Sequence, residues 1–198
     1  PLWFCRNPRT RLTAMRAAWA FLLLLAATAS VAAAPPPAPK NQVDRWFADL
    51  AKAGSPEDAK PIEDKIAAAF KQSGSPSVDL LMSRANAALN AADSKTAGAL
   101  LTAVSKVAPR YAEGWHVRAT MDAASGNDSA AMLALQRVVS LNPRHFTAMV
   151  ELAGMLEDYG DKKGALTLYR KALALDPQLE SAVRAARALE KDVEGQGI

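Results

Sequence analysis

The chain has 198 residues, half of them hydrophobic and 22% charged, which is enough for one packed domain or a short repeat array. Its formal charge of +4 arises ahead of Ala34, where Arg6, Arg9, Arg11 and Arg16 stand without an acid; taking these four from 24 basic residues leaves 20 against 20 acidic ones, so the electrostatic footprint of a nucleic-acid binder is missing. Cys5 is the single cysteine and lies ahead of the folding region, which excludes a disulfide framework, a thiolate metal site and a cysteine nucleophile there.

From Met15 the run MRAAWAFLLLLAATASVAAA carries Arg16, then an apolar stretch from Ala17 to Ala29, then small residues. This is the pattern of a secretory signal peptide over residues 15–33, with cleavage after Ala32 or Ala33 satisfying the small-x-small rule. Its apolar part is shorter than the ~20 residues a spanning helix needs. Residues 1–14 stand ahead of a complete signal and read as a leader outside the native protein. The expected location is periplasmic or secreted, with membrane attachment only where the leader stays uncleaved.

Residues 34–42 are proline-rich, and PPPAPKNQ predicts an extended polyproline spacer. Residues 43–77 predict a degenerate helix pair. Its first helix runs from Val43 to Ala53 and stops at Gly54; Ser55-Pro56-Glu57-Asp58 then supplies a cap, a first-turn proline and first-turn acids for a second helix reaching about Gln72. Pro61 falls inside that helix and predicts a kink or a late start. No stretch beyond Val43 shows the alternation of a strand.

Pro109, Pro143 and Pro177 recur at one constant interval, and the residues between them repeat in register. Leu81, Arg84, Ala85, Ala88, Ala97 and Leu101 correspond to Trp115, Arg118, Ala119, Asp122, Ala131 and Leu135, and then to Met149, Leu152, Ala153, Leu156, Ala165 and Tyr169. Small residues in the alanine columns let paired helices approach closely, and each proline ends one unit. These columns resemble the W-x2-L-G-x2-Y, A-x3-F, P pattern of tetratricopeptide repeats, and the interval matches that family's period of about 34 residues. The resemblance implies an all-α solenoid with units at 78–111, 112–145 and 146–179, closed by a capping helix and tail at 180–198. Arg84 and Arg118 depart from the usual Leu, and Asp122 from the usual Tyr. Arg118 and Asp122 are one helical turn apart and predict a salt-bridged pair. Phrases such as LLMSRA, YAEGW, PRHF and DKKGAL are further similar to exported bacterial repeat proteins of unassigned role.

The resemblance also implies a concave groove lined by the first helix of each unit, and hence a protein or peptide partner. The candidate groove residues are Asp79, Met82, Asn86, Asn90, Glu113, His116, Thr120, Thr147, Val150 and Glu157, with Leu89, Ala123, Gly154 and Asp158 beside them. This lining is mixed apolar and mildly acidic, suited to an extended or helical segment with apolar anchors and basic residues. Asn86 matches the carboxylate-clamp subgroup, but Met82 stands where that subgroup needs Lys.

The two histidines, His116 and His145, are far apart in the chain with no ligand spacing around them, and read as surface or groove side chains. No phosphate loop, nucleophile elbow or H-E-x-x-H is present. The sequence therefore predicts no enzyme, no metal and no cofactor, but a non-catalytic interaction scaffold of the cell envelope. The alternative is a structural or assembly subunit anchored by an uncleaved leader.

Overall fold

The computed structural model describes residues 40–195, and the described residues form helices joined by short turns. The leader, the signal segment and the end of the tail lie outside the described residues. The helices are α1 (Lys40–Leu50), α2 (Pro56–Phe70), α3 (Pro76–Asn90), α4 (Ser94–Val107), α5 (Ala112–Ala124), α6 (Asp128–Leu141), α7 (Phe146–Asp158), α8 (Lys162–Leu175) and α9 (Glu180–Glu194). The antiparallel pairs α3–α4, α5–α6 and α7–α8 are the three repeats, and α9 packs on α8 as the cap.

Each repeat is punctuated by the same chemistry. The second helices are capped by Asp93, Asn127 and Asp161, equivalent positions of the three units, whose side chains accept from the backbone N–H of Thr96, Ala130 and Gly164. One otherwise orphaned first-turn donor is thereby satisfied. The turn before each cap needs a left-handed residue. Gly126 and Gly160 supply it with φ of 73° and 87°, and Ala92 adopts it at 56° in the first repeat. Asn127 thus works as a helix cap.

Packing follows the columns. Ala85, Ala119 and Ala153 and their partners Ala97, Ala131 and Ala165 are all buried, as are Leu101, Leu135 and Tyr169. Each large side chain in this last column contributes roughly 1.5–3 kcal/mol by leaving water. Gly114 marks a close approach between helices: a Cβ there would stand 2.8 Å from Val104 Cγ1, so α5 rests directly on α4.

The N-terminal pair departs from the sequence expectation in two ways. The helix begins at Lys40, inside the segment expected to be an extended spacer. Pro61 does not delay α2, which starts at Pro56 under a Ser55 cap. Its missing donor would have bonded the Glu57 carbonyl in the first turn, so a single helical bond is lost. The core of α1 and α2 lies with the third repeat and not with α3. Phe47, Leu50, Ala59 and Ile66 share one apolar core with Phe146, Met149 and Ala172 of the third repeat. Phe47 meets Phe146 edge-on at 6.3 Å, and Arg144 lies over the Phe47 ring and pairs with Asp44. The pair bridges back across the turns between repeats, and Tyr111 Oη donates to the Lys71 carbonyl at 2.6 Å on the way. Among the described residues no helix is long and apolar enough to cross a membrane.

Candidate functional site

Two clefts open along the first helices of the repeats. One, of about 850 Å³, is lined by Asp79, Met82, Asn86, Leu89 and Asn90 of α3, by Glu113, His116, Val117 and Thr120 of α5, and by Lys71 and Tyr111 at one end. The other, of about 690 Å³, lies between α5 and α7 over a floor of Ala119, Thr120, Ala123 and Gly154. Its charged lining residues are Asp128, Glu151 and Asp158, all acidic. Seven of the candidate groove residues therefore converge on the first cleft, and Thr120 belongs to both.

Not all of them are free to meet a partner. Met82 is buried in the first repeat's core beside Val78, Leu101 and Val104, so it forms a wall and is no protruding anchor. Val150 is half-buried under the N-terminal pair and within the third repeat's core. Glu157 accepts from Tyr169 Oη at 3.3 Å, and Thr147 is exposed outside both clefts. Asp79 accepts from the Ser73 hydroxyl at 2.6 Å and from its backbone N–H at 3.0 Å, holding the turn before α3. Asn86, Asn90, Thr120 and Asp158 remain exposed.

His145 corrects the sequence reading, while His116 lines the cleft as expected. His145 is 3% exposed, and His116 and Glu113 converge on it. His145 caps α7 by accepting from Ala148 N–H at Nδ1, 3.3 Å away, so its ring proton sits on Nε2 and faces Glu113 Oε2 at 3.3 Å. Glu113 Oε2 also lies 3.5 Å from His116 Nδ1, and His116 Nε2 meets Glu151 Oε2 at 2.9 Å. The chain His145–Glu113–His116–Glu151 thus ties α5 to α7, with the Phe70 ring of α2 5.0 Å from His145.

The electrostatics follow from this enclosure. Burial alone would raise the Glu113 carboxyl, but the hydrogen bonds from His116 and His145 and the charge of His116 outweigh it and hold the group down at about 2. Burial would lower His116, and the hydrogen bonds to Glu113 and Glu151 instead lift it to about 9. His116 is therefore cationic at neutral pH. The register already carried a hint: it places His145 just ahead of α7, beside the first turn of α5.

The Arg118–Asp122 pair forms as the spacing predicts. Arg118 Nε donates to both carboxylate oxygens of buried Asp122, at 3.2 and 3.0 Å, and Nη1 reaches Thr102 of α4 at 3.5 Å. The polar pair joins successive repeats where the motif usually packs Leu and Tyr.

Helix pairs stacked in one constant register define an α-solenoid of the class that presents concave surfaces. No protein-family model matches the chain. A TPR repeat-containing protein of Rhizobium etli is 28% identical over 158 residues, which is 80% of this chain and 78% of the relative. The Sgt2 TPR domain of Aspergillus fumigatus shares the fold with a TM-score of 0.53 and 24% identity, over 62% of this chain and 82% of that domain. MamA does so with a TM-score of 0.54 and 19% identity, over 72% and 85%. The chain has the all-α fold of tetratricopeptide repeat proteins, and that fold suggests a protein-interaction scaffold.

Proposed function

We propose that this protein is a non-catalytic scaffold of the bacterial cell envelope, exported by its signal peptide, whose concave face docks an extended segment of a partner protein. The observation behind this reading is the pair of neighbouring clefts sharing Thr120, with apolar floors and carboxylates along the second. A partner segment carrying apolar and basic side chains complements them. The rigid repeat core lowers the ordering cost of binding, because the groove exists before the partner arrives.

The test is site-specific photocrosslinking in the native host. A photoreactive residue at Asn86 or at Asp158 is expected to capture one shared partner, while the same residue at exposed Leu133, outside both clefts, does not. Changing Asn86, Asn90, Thr120 and Asp158 together leaves the buried residues alone and should abolish capture. Equal capture from Leu133 would refute docking in the groove. N-terminal sequencing of the mature protein tests export, with cleavage after Ala32 or Ala33 expected; an intact leader in membrane fractions would favour the anchored subunit instead.

A further inference from the structure

We propose that Glu113, His116 and His145 form a binding site for a divalent transition-metal ion of the zinc type, with Glu151 orienting His116 from behind. The ligand atoms of these three residues all lie within 4.8 Å of one another. Two of the separations are informative. Glu113 Oε2 stands 3.3 Å from His145 Nε2 and 3.5 Å from His116 Nδ1. Both exceed the ~2.7–2.9 Å of a charge-assisted N–H···O bond between such groups. They fit the edge of a coordination tetrahedron, which is about 3.3 Å for bonds of ~2.0 Å.

The surroundings have the features such a site needs. With Nδ1 of His116 turned to the ion, its Nε2–H donates to Glu151 at 2.9 Å, the carboxylate–histidine support that fixes tautomer and ring orientation. Glu113 and His145 are buried, and the Phe70 ring shields the histidine face. Glu113 and His116 also line the cleft between α3 and α5, which provides an entry path and room for a water in the fourth position. The ion displaces the proton that His116 Nδ1 carries at neutral pH and releases it to solvent; the resulting two neutral imidazoles and one carboxylate suit a borderline ion such as Zn²⁺ over the harder Mg²⁺ or Ca²⁺, which favour all-oxygen sets.

Loading leaves a specific trace. His145 can coordinate through Nε2 only with its ring proton on Nδ1, so the 3.3 Å bond from Ala148 N–H is given up. The first turn of α7 loses that cap when the ion binds.

The experiment uses the full chain as purified, stripped of metal and titrated with Co²⁺ as the optical probe, then with Zn²⁺. One equivalent of Co²⁺ is expected to give intense tetrahedral bands that one equivalent of Zn²⁺ removes. The protein holds two histidines, so nitrogen NMR reads both rings directly: His116 Nδ1, His145 Nε2 and the Ala148 amide should all shift on adding Zn²⁺. Because Glu151 is part-exposed, Glu151→Gln leaves the fold intact and should weaken binding by roughly tenfold, and His145→Ala should abolish it. If the ring nitrogens stay in place, if Co²⁺ shows the pale bands of a hydrated octahedral ion, or if His116→Ala/His145→Ala binds as well as the native chain, the site is refuted and the cluster is a clasp of hydrogen bonds.

Discussion

Gln178 donates its side-chain amide to the Ala53 carbonyl at 2.8 Å, across 125 residues of chain. The last turn between a repeat and the cap thereby holds the turn that follows the first helix. With the Phe47–Phe146 contact and the shared core around Ile66 and Met149, this makes the N-terminal pair a brace on the third repeat. Phe47→Ala should cost about 3 kcal/mol, as large-to-small changes at buried aromatic sites do. The location of the damage tests the brace. Hydrogen exchange should quicken in α7 and α8 while α3 and α4, nearer in sequence, keep their protection; loss confined to α3 would contradict it.

Ala92 holds a left-handed backbone with φ 56° where the equivalent residues of the later repeats are Gly126 and Gly160. A Cβ in that region costs roughly 1–2 kcal/mol, partly offset by the extra freedom glycine has when unfolded. Ala92→Gly should therefore stabilise the first repeat by about 0.5–1 kcal/mol, and Gly126→Ala should destabilise the second by a similar amount. Paired denaturant titrations decide it. Equal and opposite shifts in midpoint are expected, with no change in slope.

The repeats were legible because their register is local: the constant interval fixes where each alanine column and each closing proline falls, whereas the caps Asp93, Asn127 and Asp161 emerge from the structure. The N-terminal pair was harder. Its hydrophobic pattern predicts two helices and nothing in it says which repeat they cover, since Phe47 on Phe146 is a match of shapes that periodicity does not encode. The histidine cluster was hidden for a related reason. His145 and Glu113 are 32 residues apart, too far for any ligand-spacing rule, and meet because adjacent repeats align the starts of α5 and α7. Met82 shows the opposite error: its repeat column faces the groove, but its length lets it fold into the core between α3 and α4.

Arg118 and Asp122 occupy columns that ordinarily hold Leu and Tyr, and the buried partner is Asp122. Arg118→Leu on its own strands that carboxylate without the Nε–H donor that its two oxygens share. A loss of about 1–2 kcal/mol is expected, moderated because the arginine side chain is 37% exposed and the pair is partly screened. Arg118→Leu/Asp122→Tyr should recover most of it by restoring apolar packing. The signature is the coupling in a double-mutant cycle. Strictly additive losses would mean that the two residues do not act as a pair.

Glu63 of α2 lies within hydrogen-bonding reach of Asp176, the residue closing α8, and burial followed by that neighbour raises its carboxyl above 4.5. Lys60 pulls the other way from 3.9 Å and does not prevail. A raised carboxyl favours the protonated form in the folded state. Its contribution is therefore fully present below the unfolded value and is lost as pH rises through the folded one. Glu63 and Asp176 sit together between the brace and the third repeat, and Asp176 Oδ2 is buried without a hydrogen-bond donor. Glu63→Gln supplies an N–H₂ in the same shape and should stabilise the protein at pH 7 by roughly 1 kcal/mol. The variant should also flatten the stability–pH curve on the acid side of neutrality. Thermal melts of both proteins from pH 4 to pH 8 make the comparison, and parallel curves would show that the Glu63–Asp176 contact does not govern how the brace is held.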